Sequence, residues 1–460
     1  PVEARYGSHG LGPLRQKDDT IGLLVDIVAQ IARMQPTLVL FEDAHWADPS
    51  TLEVLRSMTE RCARMPLFVV VTSRPEFRYE PLVGGRVRTV VLGRLSPQDS
   101  IALVLRIAGG APLPDDLTAH IVEKTDGVPL FLEELTRTVL DSDLVVPADR
   151  RYEYARTVDR ITIPATLHDS LMARLDRLIP VKEVAQIGAT LGREFSHALI
   201  EAVAPTMSAS LPDALERLTS SGLVHRVGTP PVATYVFKHA LVRDVAYDSL
   251  LTSTRETLHA RIARTITDRF PELARTQPEL VAHHFTEAGS LRDALPYWMA
   301  AGERALERVA LEEAILHLEN ALRVIARIPT GDERDRCELD VRMLLATACL
   351  SCCGWDAPEV MDALQAARII SMRLGEVARR IPMLWHIALY HCLFCDFPAA
   401  LAAVAELDAI AGDDGDTTAY MVARWSESMT LCWMGDFTGA DRTARRMLAS
   451  YDYDRHHHFV

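Results

Sequence analysis

Two adjacent acids, Glu42 and Asp43, follow the short apolar run TLVLF at positions 37–41. The run has the composition of a buried strand, so both carboxylates would lie at one edge of a sheet. In nucleotide hydrolases an acid at a strand end helps to hold Mg²⁺, and its neighbour can polarise the attacking water. The same pair could also be simply solvated, so the choice depends on the elements around it.

The elements next to the acids have the order of a β-α-β unit. Residues 21–32 carry apolar side chains at helical spacing and precede the first strand. Asp48 and Pro49 give a helix start, with an acid at the N-cap and proline at the first helical position. They predict a helix over 49–64 that leads into a second apolar run at 67–73.

The second run ends in the polar residues Thr72, Ser73 and Arg74, and a third apolar run follows at 87–93. We expect all three runs to be strands. Since β-branched runs without alternation occur between helices in α/β proteins, they predict a parallel sheet buried on both faces.

Helical sequence follows the third run. The Ser96-Pro97 cap predicts a helix through Ala108, and further helices are expected near 115–124 and 130–140. Residues 142–164 are polar and charged, which is typical of a linker. The next segment combines helices at 165–178, 181–191, 196–203 and 211–221 with extended pieces at 223–227 and 233–237. Helices followed by a small hairpin predict a winged helix.

From about residue 240 the sequence is nearly all helical and contains two pairs of similar segments. GSLRDALPYW at 289–298 is similar to VALEEAILHL at 309–318, and CDFPAAL at 395–401 is similar to GDFTGAD at 435–441. Offsets of 20 and 40 residues are typical of stacked helix pairs, each of which buries its apolar face on the next. An α-solenoid is therefore expected.

Several segments together resemble the predicted ATPase domain of STAND proteins, notably those found beside class III adenylate/guanylate cyclase domains. The segments that carry the resemblance are LVLFEDAHWADPST (38–51), VVVTSRPEF (69–77), KTDGVPLFLEELTRTVL (124–140), IPATLHDSLMARLDRL (163–178), VAQIGATLGREFS (184–196), FKHALVRDVAYDSLL (237–251) and PYWMAAGERAL (296–306). The resemblance implies a multidomain, mostly α chain. Its parts would be a partial α/β P-loop NTPase domain at 1–142, a linker and winged helix at 143–250, and an α-solenoid of TPR-like repeats at 251–460.

The resemblance also implies roles for particular residues. Glu42 and Asp43 match the Walker B acids, which are catalytic and hold Mg²⁺. The sensor 1 motif is matched by Thr72 and Ser73, which would bind the cofactor, and by Arg74, which would reach toward the γ-phosphate. Each match has a structural alternative, and for Arg74 it is a surface arginine after a strand.

Two further matches lie later in the chain. Gly127 and Pro129 match the GxP motif of the lid, and otherwise form only a turn into a helix. His239 occupies the place of a winged-helix histidine that contacts the β-phosphate of ADP, and otherwise is a histidine at a helix start. Both would be cofactor-binding positions.

The phosphate-binding loop G-x-x-x-x-G-K-[S/T] is absent from the sequence. GSHGLG at 7–12 has glycines but no following Gly-Lys-Ser/Thr, so it is a weak loop signal. We expect the loop to lie upstream of Pro1, which would confine ATP, ADP and Mg²⁺ binding to the full-length protein and leave this fragment inactive alone.

Three functions fit these observations. The first is a signalling switch in which ATP binding and hydrolysis regulate an attached effector, a nucleotidyl cyclase by the resemblance, while the repeats bind a protein partner. An ATP-dependent transcription regulator is the second, although residues 211–221 carry one arginine against Asp213 and Glu216. The third is a scaffold without catalysis.

The formal net charge of −14 gives no overall attraction to nucleic acid or an anionic membrane, so DNA is not expected as a partner. No apolar run reaches the ~18 residues of a membrane span, and a cytoplasmic location is expected. Cysteines such as Cys349 and Cys352 lie in helical, alanine-rich surroundings, which favours close helix packing over a zinc site.

Overall fold

The computed structural model describes residues 13–61, 65–77, 87–142, 144–155, 166–177, 181–354, 357–412 and 418–451. These residues are mostly helical, as predicted. The chain packs as two compact units, the first formed by Pro1–Gly85, Arg275–Thr286 and Ser290–Val460, and the second by Arg86–Ala274 and Glu287–Gly289. This grouping by packing cuts across the three sequence segments 1–142, 143–250 and 251–460, whose bounds stay predictions.

The first unit begins with the predicted β-α-β arrangement. Helix α1 is Pro13–Met34, strand β1 is Thr37–Phe41, helix α2 is Pro49–Arg61 and strand β2 is Leu67–Val71. The strands pair in parallel, with Thr37 opposite Leu67 and Phe41 opposite Val71. Val25 and Ala29 of α1 and Leu55 and Met58 of α2 form a core with the inward side chains of both strands. The sequence therefore predicted the type and order of these four elements correctly, although α1 begins at Pro13 and not at the predicted residue 21.

The prediction that the sheet is buried on both faces is wrong for the described residues. Leu38, Leu40 and Phe68 are 64%, 56% and 69% exposed. Alternate side chains of a strand point to opposite faces, and α1 and α2 both pack on the face that carries Val39 and Val69. An apolar run indicates that a strand suits burial, but it does not supply the layer that buries it.

The third predicted strand, 87–93, is also wrong, because residues 87–96 form neither helix nor strand. Val90, Val91 and Leu92 are 66%, 82% and 89% exposed. A strand is defined by hydrogen bonds to a neighbouring strand, and none of the described strands pairs with this run. β-branched composition therefore predicted a strand for a run that pairs with no strand among the described residues.

The rest of the first unit is a stack of helices in which each helix packs on the next. The described helices, numbered in chain order after those of the second unit, are α13 Pro278–Glu287, α14 Leu291–Glu307, α15 Leu311–Ala326, α16 Asp332–Cys353, α17 Pro358–Leu374, α18 Val377–Leu393, α19 Phe397–Ala411, α20 Thr418–Trp433 and α21 Phe437–Ala449. Alanine-rich contacts among α16 to α20 form one hydrophobic core of this stack. This arrangement agrees with the predicted helical solenoid.

The segments with internal sequence similarity share one recurring turn between helices. Val309 and Cys395 have positive φ angles of 56° and 57°. The glycines at the equivalent positions, 289 and 435, also have positive φ angles. Two residues after each turn a new helix starts, and Asp396 caps its helix by accepting a hydrogen bond from the Ala399 N–H at 3.3 Å. A left-handed residue followed at once by a cap reverses the chain in the fewest residues. The similarity at offsets of 20 and 40 thus reflects shared turn geometry.

The second unit contains the remaining helices and two small sheets. Its helices are α3 Pro97–Ile107, α4 Asp115–Thr125, α5 Pro129–Leu140, α6 Leu167–Arg177, α7 Val181–Leu191, α8 His197–Val203, α9 Leu211–Ser220, α10 Ala240–Asp248, α11 Thr252–Arg269 and α12 Pro271–Thr276, the last of which runs into the first unit. The predicted linker is partly structured, since β3 Val145–Pro147 pairs antiparallel with β4 Tyr152–Tyr154. Its residues 156–165 lie outside the described residues.

A three-stranded antiparallel sheet completes the second unit. Strands β5 (Glu194–Ser196), β6 (Val224–Val227) and β7 (Thr234–Phe237) have the spatial order β5-β7-β6. Helices α6 to α9 and both extended pieces lie where the sequence placed them, while β5 was missed because it has only three residues. The assignment of this segment as a winged helix stays a prediction. None of the described helices has both the length and the apolar character needed to cross a membrane.

Candidate functional site

The carboxyl ends of β1 and β2 are joined by hydrogen bonds next to the acid pair. The Thr72 N–H donates to the Phe41 carbonyl at 2.9 Å, and the Ala44 N–H donates to the Thr72 carbonyl at 2.8 Å. The Asp43 N–H donates to the Thr72 hydroxyl oxygen at 2.9 Å. Parallel strands end at the same edge of a sheet, so the pairing of β1 with β2 brings these two segments together. Thr72 therefore fixes the backbone that carries Asp43.

Asp43 has an unusual backbone conformation. Its φ and ψ angles are 56° and 44°, in the left-handed region. Aspartate tolerates this region better than most residues, but the conformation still costs about 1 kcal/mol or more and persists only where neighbours hold it. Here the contacts to Thr72 hold it. Asp43 is half-buried while Glu42 is exposed, so the two adjacent acids are in different environments.

A short 3₁₀ turn, Ala44–Trp46, follows the acids and brings an aromatic ring beside Arg74. The Arg74 guanidinium carbon lies 5.6 Å from the centre of the Trp46 ring. Such a cation–π contact at an exposed site contributes about 0.5–1 kcal/mol. Both residues are largely exposed. Arg74 is thus at the same sheet edge as Asp43 and contacts the Trp46 ring, while its predicted reach toward a γ-phosphate stays a prediction.

His45 also belongs to this turn and has no role predicted from sequence. Both of its ring nitrogens are shielded from solvent and have no hydrogen-bond partner among the described residues. Ala44, the first residue of the turn, is fully buried in the first unit. A shielded imidazole without a partner is unfavourable, which marks His45 as a polar group that the described residues leave unsatisfied.

Helix α2 starts directly after this turn. The Asp48 carboxylate accepts hydrogen bonds from the Thr51 N–H at 2.8 Å and from the Thr51 hydroxyl at 2.7 Å. Burial acts to raise the pKa of Asp48, but the hydrogen bonds from Thr51 outweigh it and hold the pKa below its ordinary value. The predicted N-cap is therefore confirmed. The cap fixes the start of α2 five residues after Asp43.

Gly127 lies in the second unit and its geometry has a structural explanation. Its φ angle is +68°, and a Cβ atom built on it would lie 2.4 Å from the Leu95 carbonyl oxygen. The Leu95 N–H also donates to the Gly127 carbonyl at 2.8 Å. Pro129 is the first residue of α5 and is exposed. The motif therefore forms a tight turn into a helix, whatever it contacts in addition.

His239 is the residue before helix α10, as predicted, but its side chain does not cap that helix. Its Nε2 atom is shielded from solvent and has no partner among the described residues. The neighbouring Lys238 ammonium lies 2.9 Å from the Glu133 carboxylate of α5. Burial lowers the pKa of His239, as does the charge of Lys238, while Glu133 acts in the opposite direction.

The lowered pKa of His239 predicts a pH dependence of stability. A histidine whose pKa is lower in the folded state stabilises the fold above the unfolded-state pKa of about 6.5, and this stabilisation is lost as the pH falls. We therefore expect His239→Gln to lose less stability than the parent chain between pH 7.5 and pH 5.5. Urea unfolding at both pH values measures the difference. His168→Gln, on helix α6, is the control, and an equal benefit from both substitutions would contradict a specific effect of His239.

A buried ion pair near His239 was missed by the sequence analysis. Glu134 of α5 is 3% exposed, and its Oε2 atom lies 2.5 Å from Nη1 of Arg174 on α6. Arg174 also donates to the Ser221 carbonyl. A buried carboxylate needs such a partner. No local pattern in the sequence marks Glu134 as buried, because its partner Arg174 lies on another helix.

The structure brings five of the predicted site residues to one sheet edge, namely Glu42, Asp43, Thr72, Ser73 and Arg74. The other three, Gly127, Pro129 and His239, belong to the second unit. The edge offers two carboxylates and two hydroxyls, which are the hard oxygen ligands that Mg²⁺ prefers. Magnesium in nucleotide sites takes one or two protein carboxylates and completes its shell with water and phosphate, so the donor set fits that ion.

Comparisons with known proteins leave the family open. No family model matches the chain. An uncharacterized protein of Rhizobium meliloti (strain 1021) is 28% identical over 369 residues, which make up 78% of this chain and 34% of that protein. The chain thus spans about a third of the length of this curated relative.

Among solved structures, the chain is similar to a STAND protein with a tetratricopeptide repeat sensor from Pyrococcus horikoshii. The TM-score is 0.35 and the sequence identity 12%, with 94% of this chain and 70% of that chain covered. A TM-score of this size carries no conclusion about fold or function. The function is therefore inferred from the residues of the chain.

Proposed function

We propose that this chain is part of a nucleotide-dependent signalling switch, in which ATP binding and hydrolysis control an attached effector. The observation that carries this proposal is the sheet edge where Asp43 is held in a left-handed conformation by Thr72, with Glu42 and Arg74 beside it. A strained acid at the end of a parallel strand suits a site that must position charge. The stack of helices would bind a protein partner.

In this switch the acid pair would hold Mg²⁺ and orient water. When bound, Mg²⁺ would neutralise charge on the phosphates. Glu42, the exposed acid, would contact the ion directly or through water. Asp43 would polarise the attacking water from its half-buried position. Thr72 keeps the Asp43 backbone in place, and Arg74 supplies a permanent positive charge for the γ-phosphate.

In the second unit, the sequence resemblance to STAND proteins implies nucleotide-binding roles for Gly127, Pro129 and His239. Gly127 and Pro129 would form a lid turn near the base. His239 would donate a hydrogen bond to the β-phosphate of ADP, and its shielded, unsatisfied Nε2 supports that role. An imidazole can make this donation whether neutral or protonated, depending on its tautomer. The effector under control would be a nucleotidyl cyclase or another domain outside these residues.

ATP binding by two proteins tests the proposal. The chain Pro1–Val460 lacks the G-x-x-x-x-G-K-[S/T] loop, so we expect calorimetry to detect weak or no binding of Mg-ATP. The same chain extended by its preceding reading frame should bind ATP at micromolar concentration if that frame contains the loop. Micromolar binding by the shorter chain would require an unconventional phosphate site, and no binding by either protein would contradict the switch.

A scaffold without catalysis is the second candidate, and the stacked helices α13 to α21 favour it. It predicts that partner binding is indifferent to nucleotide. A DNA-binding role is less well supported, because Arg226 on β6 pairs with Glu216 on α9 at 2.9 Å. That pairing uses a positive charge that phosphate contact would require.

A further inference from the structure

Helix α2, which follows the acid pair, receives a hydrogen-bond acceptor from the helical stack. The Ser50 N–H, in the first turn of α2, donates to Oε1 of Glu313 at 3.2 Å. Glu313 lies in the first turn of α15, and the two residues are 263 positions apart in the sequence. Both are half-buried and belong to the same compact unit. The contact is therefore a tertiary link between the candidate site and the stack.

The N–H groups at the start of α2 explain why this contact is favourable. The first N–H groups of a helix have no partner within the helix, and a carboxylate there is also stabilised by the helix dipole. Asp48 satisfies the Thr51 N–H, and Glu313 satisfies that of Ser50. The Asp48 carboxyl also interacts with the Glu313 side chain. Two acids from distant parts of the chain thus share one helix start.

The packing of α15 fixes the position of Glu313. Ala314 and Leu318 are fully buried. A Cβ atom on Gly302 of α14 would lie 2.6 Å from Leu318, so the absence of a side chain at 302 allows the two helices to approach closely. The Trp298 ring lies 5.8 Å from the ring of His317, one turn beyond Glu313. The first turn of α15 is therefore held by its packing on α14, and it cannot shift freely together with α2.

The segment between the acids and α2 is short and anchored at both ends. At one end Asp43 is bound to Thr72, and at the other Asp48 and Glu313 hold the first turn of α2. We infer that Glu313 is a positioning residue, which sets the acid pair through the first turn of α2 and so couples the helical stack to the site. Its effect on hydrolysis rests on the proposed function, whereas the contact itself does not.

Amide hydrogen exchange of the 460-residue chain tests the contact. Glu313→Ala should speed exchange at Ser50 by about fivefold, as expected for one lost hydrogen bond. Glu313→Gln keeps an oxygen acceptor and should restore most of the protection. The control is Glu312→Ala, because Glu312 is exposed and next to Glu313. Unchanged exchange at Ser50 in Glu313→Ala would overturn the inference. If Glu313→Ala loses protection throughout the chain, exchange at Ser50 is compared between Glu313→Gln and the shorter Glu313→Asp. Protection kept in Glu313→Gln and lost in Glu313→Asp supports the contact, and equal exchange in the two variants overturns it.

The effect on the acids needs a protein that hydrolyses ATP. There Glu313→Ala should lower kcat about three- to tenfold with little change in KM for ATP, and Glu313→Gln should recover most of kcat. Faster exchange at Ser50 with unchanged kcat would show that the contact does not set the acids, and would overturn the inference. A parent protein without any turnover would contradict the proposed function and leave the exchange result standing.

Discussion

Asp43→Asn should lower ATP turnover by about a hundredfold or more in a protein that contains both this chain and a phosphate-binding loop. Asparagine keeps the size of the side chain and tolerates the left-handed backbone at φ 56°, so the turn with Thr72 should persist. What is lost is the negative charge that, in the proposed function, would polarise the attacking water. Nucleotide affinity should change little. Phosphate release at saturating Mg-ATP, with the Kd from a fluorescent nucleotide, measures both effects.

Two further variants make this result specific to the strand end. Glu42→Gln should raise the Mg²⁺ concentration needed for half-maximal turnover, because it weakens a metal ligand. Glu60→Gln removes an exposed acid at the far end of α2 and should leave turnover unchanged. If Glu42→Gln instead lowers turnover and Asp43→Asn instead raises the Mg²⁺ requirement, the two acids have the opposite roles. Normal turnover in both variants would refute the assignment of these acids to a nucleotide site.

Local signals predicted the elements that carry the site. Apolar runs gave β1 and β2, and the Asp48-Pro49 and Ser96-Pro97 caps gave the starts of α2 and α3, where Asp48 and Ser96 accept the expected backbone N–H bonds. These features depend on residues within one turn of each other. The failures, the exposed outer face of the sheet and the missing strand at 87–93, both depend on what a segment packs against. Composition does not contain that information.

In the candidate site, too, some features were predictable from the sequence and others depended on distant contacts. The sequence predicted that β1 and β2 belong to one parallel sheet, and in that sheet their ends bring Asp43 and Thr72 together. The left-handed conformation of Asp43 and the Trp46 ring under Arg74 were not predictable, because each arises from the turn closing on β2. Glu313 could not be found from sequence either, since its partner is 263 residues away and a glutamate in the first turn of a helix is ordinary.

Gly127→Ala should destabilise the second unit by about 3 kcal/mol or more. Two costs add at this position. The first is the positive φ of +68°, which an L residue rarely adopts, and the second is a Cβ atom 2.4 Å from the Leu95 carbonyl oxygen and 3.0 Å from the Leu95 nitrogen. Both neighbours are backbone atoms, and the Leu95 N–H is bonded to the Gly127 carbonyl, so neither can shift easily.

Gly110→Ala separates these two costs. Gly110 has a φ of +86°, and no described atom lies within 4 Å of the position that a Cβ atom would take, so its substitution carries the backbone cost alone, about 1 kcal/mol. The urea midpoint of both variants, followed by circular dichroism, should therefore fall further for Gly127→Ala. Because this expectation needs no nucleotide, it separates the turn from its proposed role as a lid. Equal shifts in the two variants would mean that Leu95 yields to the added methyl group, and would leave the positive φ as the reason for glycine at 127.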